Sequence, residues 1–463
     1  MLSFLRQARQ LVLSSHGSMA AAAAGHQSPI YVIGNQSADL DSIISAIVYS
    51  YFFSKVALRT DGTIVKTRPH VPLINLPDVA SGQALRRLRP EFATALWLST
   101  SSACSPIKPE DEASVARLLA EHVVTVADVK EQVRGLGDQH TCPATWDAVL
   151  VDWNALPIQA PGRVRGHGSV EGLEDRAIFN VVGCIDHHEE ESFVSANHEE
   201  IVDGAHGSPP PRVVEVGPGS CASLVIREIR QRGLWNASSE ADAQIAKLAL
   251  AAILIDTGNL TAPGKVTAVD REAVSFLEYI ITGGTSASSW NRESFFEVIQ
   301  HAKHNSLDFL TIDEILARDY KDWTVSSGRK IGICSVVRSL SWLCVKSESE
   351  RSSGDASSPA AVNLESFLEC LRSFALSRGL NVVAVMTAFT AAETGAFSRE
   401  LLVWALDKET ISSVERFVQQ AVQQLQVEPW SDAHLPSRLW IWKQLDVTKS
   451  RKQVAPLLRD ACT

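Results

Sequence analysis

Four apolar segments of this sequence run directly into aspartate, and one of them continues into a pair of histidines. The segments read IYVIGNQSADLDS, AVLVDWN, VVGCIDHH and LALAAILIDTGN, and the side chains in question are Asp39, Asp41, Asp152, Asp186, His187, His188 and Asp256. Carboxylates that converge repel one another unless a cation neutralises them. Oxygen-rich sites with one or two imidazoles suit Mn²⁺ or Mg²⁺ better than Zn²⁺ or copper. The pattern therefore indicates a site for two such ions, which could clamp a phosphoryl group and activate a water molecule.

Each of these residues has an ordinary explanation when it is taken alone. A single aspartate at the end of a strand is usually a turn or helix-capping residue. A single histidine is more often structural than a ligand. The indication of a metal site comes from the repetition of the motif along one chain.

Two further segments have the composition of anion sites. Gly217, Gly219 and Ser220 precede a predicted helix, whose free N–H groups could bind a phosphate. The alternative is a glycine-rich turn with a serine cap. The basic segment TKSRK at 448–452 offers guanidinium and ammonium groups to phosphate, or else it is a solvated basic stretch.

The elements that must position these residues alternate along the chain. IYVIG, VPLINL, AVLVDW and IFNVVGCID read as strands, LDSIISAIVYSYFFSKV reads as a helix, and LALAAILID continues a helical pattern. Strands that alternate with helices favour an α/β fold with a parallel sheet, whose strand C-termini share one edge. The aspartates are therefore expected to meet there.

A second α/β unit follows a linker. KIGICSVV, NVVAVMTAF and ELLVWAL are strand-like, and ISSVERFVQQAVQQL is an amphipathic helix. We predict a leader over 1–28, a catalytic domain over 29–285, a linker over 286–295 and a smaller domain over 296–463. The Ser-rich segment 347–359 is predicted to be a disordered loop.

Composition narrows the possible functions. The chain has 463 residues and a net charge of −10, so nonspecific binding to nucleic acid through a basic surface is not expected. Its apolar runs are shorter than the roughly 18 residues that span a membrane. The eight cysteines form no CxxC pair, which fits a reducing cytoplasmic compartment. Residues 1–38 contain arginine but no acidic residue, so the leader is either disordered or a targeting peptide for the mitochondrial matrix.

From about Tyr31 to Pro456 the chain resembles the DHH phosphoesterases, specifically the eukaryotic exopolyphosphatase branch with a DHHA2-type second domain. That branch is similar to the prune proteins and to family II inorganic pyrophosphatases. The motifs that carry the resemblance are GNQSADLDS, VDWN, DHH and DT, in the family's order. Asn35 stands where pyrophosphatases carry His, and Trp153 stands where the second motif usually has His.

The resemblance implies a role for each residue of the site. The implied metal ligands, for two Mn²⁺ or Mg²⁺ ions, are Asp39, Asp41, Asp152, His187 and Asp256. Asp186 would hold His187, His188 would contact the substrate, and Asn35 would orient water or phosphate. RDYKDW and SRKQ resemble elements of the family's second domain, which makes Lys321, Arg451 and Lys452 phosphate binders. Ser220 is a further candidate for this role because of its place before the predicted helix. The active site would then lie in the cleft between the two domains.

The implied function is removal of terminal orthophosphate from linear polyphosphate. The alternatives are an inorganic pyrophosphatase, a prune-like phosphodiesterase for cyclic nucleotides or short polyphosphates, and a regulatory scaffold without turnover. A nuclease of the same superfamily fits less well, because the chain is acidic and the SRKQ element is present. The expected partner is a small phosphoanhydride, with neither nucleic acid nor membrane, and the sequence gives no oligomeric state.

Overall fold

The chain divides into two units, Met1–Ser306 and Leu307–Thr463. The structure, a computed structural model, describes residues 1–15, 28–54, 57–58, 64–65, 68–101, 111–134, 143–160, 162, 164–194, 210–235, 239–283, 290–351, 364–391, 394–430, 435 and 438–463. In this part of the chain no helix is both long enough and apolar enough to cross a membrane. The cysteines among the described residues are free thiols.

A seven-stranded sheet forms the centre of the first unit. The strands of this unit are β1 (Ile30–Ile33), β2 (Ala57–Leu58), β3 (Ile64–Val65), β4 (His70–Leu73), β5 (Ala144–Val151), β6 (Ile158–Gln159), β7 (His167–Ser169), β8 (Ala177–Asp186) and β9 (Arg212–Val214). The sheet order is β4-β1-β5-β8-β7-β6, with β9 also paired to β8, while β2 and β3 form a separate ribbon. Strands β4, β1, β5, β8 and β9 run parallel, and β7 pairs antiparallel with β8 on one side and with β6 on the other. The predicted parallel α/β sheet is thus confirmed.

The described helices of the first unit cover both faces of this sheet. They are α1 (Leu2–Ser15), α2 (Leu40–Phe53), α3 (Gln83–Leu88), α4 (Pro90–Thr100), α5 (Glu112–His122), α6 (Val126–Arg134), α7 (Cys221–Gln231), α8 (Glu240–Asp256), α9 (Ala268–Thr282) and α10 (Arg292–His304). Successive side chains of β1 enter opposite cores, because a strand has a period of two. Ile30 and Val32 pack with α2, α7 and α8, whereas Tyr31 and Ile33 pack with α6 and part of α1. Burial on both faces explains why the parallel strands read as continuous apolar runs.

Helix α1 belongs to the first unit. Its side chains Leu5 and Val12 are fully buried, and Arg9 forms an ion pair of 3.1 Å with Asp128. A disordered leader therefore does not describe residues 2–15, whose apolar positions recur at helical spacing and pack on the unit's core. Residues 16–27 of the predicted leader lie outside the described residues, and the cellular compartment stays a prediction.

The second unit has its own mixed sheet. Its strands are β10 (Tyr320–Thr324), β11 (Lys330–Val336), β12 (Val382–Thr387), β13 (Phe389–Thr390), β14 (Phe397–Ala405), β15 (Val427–Pro429) and β16 (Leu439–Gln444), in the order β10-β11-β12-β14-β16-β15 with β13 beside β14. Its described helices are α11 (Ile312–Arg318), α12 (Leu340–Arg351), α13 (Leu364–Ser377), α14 (Ile411–Leu425) and α15 (Arg451–Cys462). The three predicted strands correspond to β11, β12 and β14, and the predicted amphipathic helix corresponds to α14.

Two predicted loops are partly helical. The linker predicted over 286–295 overlaps α10, which begins at Arg292 and buries Phe295 and Ile299 in the core of the first unit. The Ser-rich segment predicted as a loop over 347–359 is helical up to Arg351. Residues 284–289 and 352–363 lie outside the described part of the chain. In both places the helix extends from buried apolar side chains into neighbouring polar sequence, downstream of the linker and upstream of the Ser-rich segment.

We expect the buried imidazole of His70 to make folding pH-dependent. His70 is 1% exposed, and burial lowers its pKa to about 4, whereas an unfolded histidine titrates near 6.5. The unfolded chain therefore binds the extra proton between these values, and stability rises as the pH increases from about 4 to about 6.5. His70→Gln should remove on the order of 3 kcal/mol of this rise, measured by urea unfolding at pH 4.5 and pH 7. Equal pH dependence in the wild type and the variant would contradict this assignment.

Candidate metal centre

The carboxyl ends of the parallel strands meet at one edge of the first sheet, and a cavity of about 300 Å³ opens there. The cavity is lined by Asp39, Asp41, Asp152, His187, His188, Pro218, Gly219, Asp256 and Lys265. Every metal ligand that the resemblance implied is in this set. Asp256 reaches it from the C-terminus of helix α8, not from a strand.

Asp41 is fixed by the N-terminus of helix α7. Its carboxylate is 2% exposed and accepts hydrogen bonds from Ser220 Oγ (2.9 Å), Cys221 N (2.6 Å) and Ala222 N (3.0 Å). Burial raises the pKa of Asp41, although these backbone donors act in the opposite direction. Ser220 is fully buried, so its hydroxyl holds a carboxylate and does not face the cavity as the expected phosphate contact. The helix terminus does bind an anion, but that anion is Asp41.

Asp152 follows β5 in a left-handed conformation (φ 56°) and is 2% exposed. Its Oδ2 accepts hydrogen bonds from Asn35 Nδ2 (2.8 Å) and Ser42 Oγ (2.5 Å). Its Oδ1 accepts none from the described residues, although His187 Nε2 lies 3.1 Å away. Burial, and next the carboxylate of Asp41, raise the pKa of Asp152 to about 7. A buried carboxylate oxygen that is paired only with an imidazole nitrogen among the described residues fits a metal ligand, because a cation can take the place of the imidazole proton.

Asn35 supports Asp152. Its amide nitrogen donates to Asp152, and its Oδ1 accepts from the backbone N and the hydroxyl of Ser37 (2.9 and 2.6 Å). The side chain is therefore engaged on both sides within the protein. The resemblance implied instead that Asn35 contacts water or phosphate.

His187 has the geometry of a ligating imidazole. Its Nδ1 donates to the carbonyl of Pro218 (2.8 Å), which leaves Nε2 facing Asp152. A second hydrogen bond of this kind fixes ring orientation and tautomer in metal-binding histidines. Burial opposes protonation, yet the carboxylates of Asp152 and Asp41 raise the pKa of His187 to about 10. In the absence of a cation, the imidazolium therefore compensates the acidic cluster.

Asp186 supports the neighbouring histidine, contrary to the implied contact with the His187 ring. Its Oδ1 accepts from His188 Nδ1 (2.8 Å) and from the backbone N of His187 (2.8 Å). Its Oδ2 accepts from Asn154 Nδ2 (2.6 Å). This leaves Nε2 of His188, whose side chain is 57% exposed, available to a bound molecule. The hydrogen bond to Asp186 raises the pKa of His188, although burial acts in the opposite direction.

Asp39 and Asp256 complete the acidic lining. Asp39 caps helix α2 by accepting from Ser42 N (3.0 Å). Burial, and next the carboxylate of Asp41, raise the pKa of Asp256 well above its usual value. Lys303 Nζ lies 4.0 Å from Asp256 Oδ1 and partly offsets this effect. Mutual repulsion among carboxylates is the electrostatic condition under which a divalent cation binds favourably.

The donor set fits the implied ions. Ligand atoms of Asp152, His187 and His188 lie within 4.8 Å of one another. With the remaining aspartates, the cavity offers mostly carboxylate oxygen and one well-oriented imidazole nitrogen, the combination expected for Mn²⁺ or Mg²⁺. The structure thus supports a metal site.

Three supporting residues escaped the sequence analysis. Arg89 is 8% exposed and donates to the carbonyls of Ser37 and Ala38, which stabilises the loop that carries Asp39. Asn154 donates to Asp186, and Lys265 lines the cavity. Only Asn154, which ends VDWN, lies inside a recognisable motif. The other two carry no signal in the sequence, because their contacts arise from folding.

Three of the expected phosphate-binding residues belong to the second unit. Lys321 is exposed on β10, and Arg451 begins α15, where it forms an ion pair of 2.7 Å with Asp319. Lys452 follows Arg451 in the same helix, and its side chain lies outside what the structure describes. Their role in phosphate binding stays a prediction.

Known proteins resemble the chain in both halves. Residues 29–253 match the DHH family, N-terminal domain, and residues 297–461 match the DHHA2 domain. A Schizosaccharomyces pombe protein named "Putative exopolyphosphatase" is 27% identical over 442 residues, which are 93% of this chain and 90% of that protein. A solved structure titled as a "putative family II inorganic pyrophosphatase" from Methanococcus jannaschii is 20% identical, with a TM-score of 0.43, and the match covers 93% of this chain and 99% of that one.

Proposed function

Because the chain belongs to the DHH family of phosphoesterases and carries a DHHA2 domain, we propose that it is an exopolyphosphatase. The proposed reaction hydrolyses the terminal phosphoanhydride bond of linear polyphosphate and releases orthophosphate. The name of the fission yeast relative supports this substrate class. All five residues implied as metal ligands line one cavity, which favours an enzyme over a scaffold.

The choice of polyphosphate over pyrophosphate rests on the hydrogen bond between Asn35 and Asp152. By resemblance, dedicated pyrophosphatases place a histidine ligand at this position. Here the amide nitrogen donates to Asp152, and an amide nitrogen has no lone pair to offer a cation. The site therefore has one ligand fewer than a pyrophosphatase of that type.

In the proposed mechanism, Asp39, Asp41, Asp152, His187 and Asp256 hold the ions. When bound, Mn²⁺ or Mg²⁺ supplies a Lewis acid for phosphoryl oxygens and lowers the pKa of water. The protein's own contribution is to orient these ligands in advance, through α7 at Asp41 and through the carbonyl of Pro218 at His187. Such preorganisation avoids the cost of rearranging dipoles during the reaction.

His188 is the proposed general acid. Its Nδ1 is held by Asp186, and the resulting rise in pKa favours the protonated ring near neutral pH. Nε2 then carries a proton that it can give to the leaving phosphate. Lys321, Arg451 and Lys452 are proposed to bind the phosphates of the substrate as cations.

The proposed activity is tested by phosphate release from long polyphosphate, tripolyphosphate and pyrophosphate, each with Mn²⁺ and with Mg²⁺. We expect turnover of the two longer substrates to exceed that of pyrophosphate with at least one ion. Equal or faster turnover of pyrophosphate would overturn the choice of substrate. No turnover of any of the three would overturn the proposed activity.

Removal of one basic side chain that binds phosphate should weaken substrate binding more than it slows the chemical step. Arg451→Ala or Lys321→Ala is expected to raise KM for tripolyphosphate by about 10- to 100-fold, the effect of losing one charge-assisted hydrogen bond. Arg459→Ala is the matched control, because it removes the same charge from the last turn of the same helix α15. An unchanged KM in both of the first two variants would remove these residues from the site.

A further inference from the structure

We infer that Asp270, which no recognised motif contains, is a positioning residue for the metal centre. Its carboxylate fixes the loop of residues 217–220, and this loop orients two of the proposed ligands, Asp41 and His187. The inference rests on the proposed metal site and deepens it.

The contacts of Asp270 reach three separate segments. The side chain is fully buried near the start of helix α9. It accepts hydrogen bonds from Gly219 N (3.0 Å), from Ser223 Oγ (2.7 Å), and from both the N and the hydroxyl of Thr267 (2.8 Å each). Both of its oxygens therefore face donors. A carboxylate accepts at both oxygens, whereas an asparagine amide accepts at one position only and places an N–H group at the other, beside Ser223 Oγ and Gly219 N.

The residues on either side of Gly219 each contact a proposed metal ligand. On one side of Gly219, the carbonyl of Pro218 accepts from His187 Nδ1. On the other side, Ser220 Oγ and Cys221 N donate to Asp41. A shift of Gly219 would therefore disturb an imidazole ligand and a carboxylate ligand together.

The loop also has little room to move on its opposite side. A Cβ atom placed on Gly219 would lie 2.0 Å from the carbonyl oxygen of Lys265 and 2.7 Å from Cγ2 of Thr257. The backbone is thus packed against one wall of the cavity. Asp270 supplies the directional hydrogen bond that sets its position along that wall.

A capping box is the ordinary explanation for such an aspartate, and the chain contains a matched example. Asp270 forms a capping box with Thr267 at the start of α9, and Asp242 forms one with Ser239 at the start of α8. Both aspartates are buried to 1% exposure or less. Only Asp270 also binds the loop through Gly219 and Ser223. A substitution of Asp242 is therefore a control that disturbs a capping box without disturbing the loop.

The test compares Asp270→Asn with Asp242→Asn in the full chain. Both variants should lose some thermal stability, since each loses a negative charge that the N-terminus of its helix stabilises. Mn²⁺ binding, measured by calorimetry well below the unfolding temperature, should weaken about 10- to 100-fold in Asp270→Asn, as for other residues that orient metal ligands. It should stay at the wild-type value in Asp242→Asn. The ¹⁵N signal of the His187 ring should also change in the first variant alone.

Wild-type Mn²⁺ affinity in a folded Asp270→Asn protein would overturn the inference. If this variant does not fold, Asp270→Glu keeps the charge but moves the carboxylate away from Gly219 N by one methylene group, and unchanged Mn²⁺ affinity in a folded Asp270→Glu protein would overturn the inference as well. Failure of the wild type to bind Mn²⁺ would instead refute the metal site itself. The two failures are therefore distinguishable without any assay of phosphate release.

Discussion

Asp152→Asn is expected to lower kcat for phosphate release by about 10³-fold or more, because it removes a ligand charge from the proposed metal centre. Asp152 is the most constrained of the proposed ligands. It is buried, adopts a left-handed backbone conformation, and leaves Oδ1 without a hydrogen-bond donor among the described residues. An asparagine carbonyl can still accept from Asn35 and Ser42 at the Oδ2 position. The loss of kcat should therefore come from the altered metal centre, while the protein stays folded.

The fold should survive the substitution for a second reason. Asp152→Asn removes the main cause of the raised pKa of His187, so its ring can be neutral, and the new amide nitrogen can donate to Nε2, which lies 3.1 Å from Oδ1 in the wild type. The substitution also removes one of several mutually repelling carboxylates. We therefore expect the unfolding temperature of the metal-free variant to match or exceed that of the wild type.

Asp147→Asn is the matched control for this prediction. Asp147 lies on the same strand, β5, where it pairs with Arg68 (2.7 Å) and accepts from Asn180 (2.8 Å) outside the cavity lining. Its replacement should lower stability and leave kcat close to the wild-type value. A folded Asp152→Asn protein with kcat within tenfold of the wild type would contradict the assignment of Asp152 as a ligand.

The sequence could predict which residues meet because local patterns determine the ends of elements. The apolar runs of β5 and β8 are parallel neighbours, so Asp152 and Asp186 necessarily lie near one edge. Asp256 follows an apolar run that fits a strand or a helix, and the structure shows the last turn of α8. Asp256 lies at the same cavity because of how helix α8 packs on the sheet, and the hydrophobic periodicity of the sequence does not predict that packing.

The sequence could not predict which atom each side chain contacts. Ser220 and Asp41 are 179 positions apart, and Asn35 and Asp152 are 117 apart, yet each pair is joined by a hydrogen bond. The position of Ser220 before a helix made it a phosphate contact, and the family resemblance made Asn35 a water or phosphate contact. Burial in the folded chain instead turns both residues into supports for carboxylates. Asp270 shows the same limit, because its local pattern indicates only a helix cap.

His188→Asn is expected to reduce kcat by about 10²- to 10⁴-fold, the usual contribution of a general acid. Asparagine can place its amide nitrogen near the position of Nδ1 and keep the hydrogen bond to Asp186, but it has no group at the position of Nε2. The variant therefore deletes the proton donor and little else. His167→Asn, at another histidine of the first unit whose Nδ1 contacts a backbone carbonyl, should leave kcat unchanged.

His188 could be a metal ligand instead of the general acid, because its ring nitrogens lie close to the ligand atoms of Asp152 and His187. Measured metal affinity distinguishes these two roles. If His188 acts as the acid, Mn²⁺ should bind His188→Asn as tightly as it binds the wild type, while His187→Asn should bind it much more weakly. Equal loss of Mn²⁺ affinity in both variants would make His188 a metal ligand and leave the proton donor unassigned. Since the Nδ1 contact to Asp186 leaves Nε2 on an exposed ring, whereas Nε2 of His187 faces a buried carboxylate, we expect the two neighbouring histidines to behave differently.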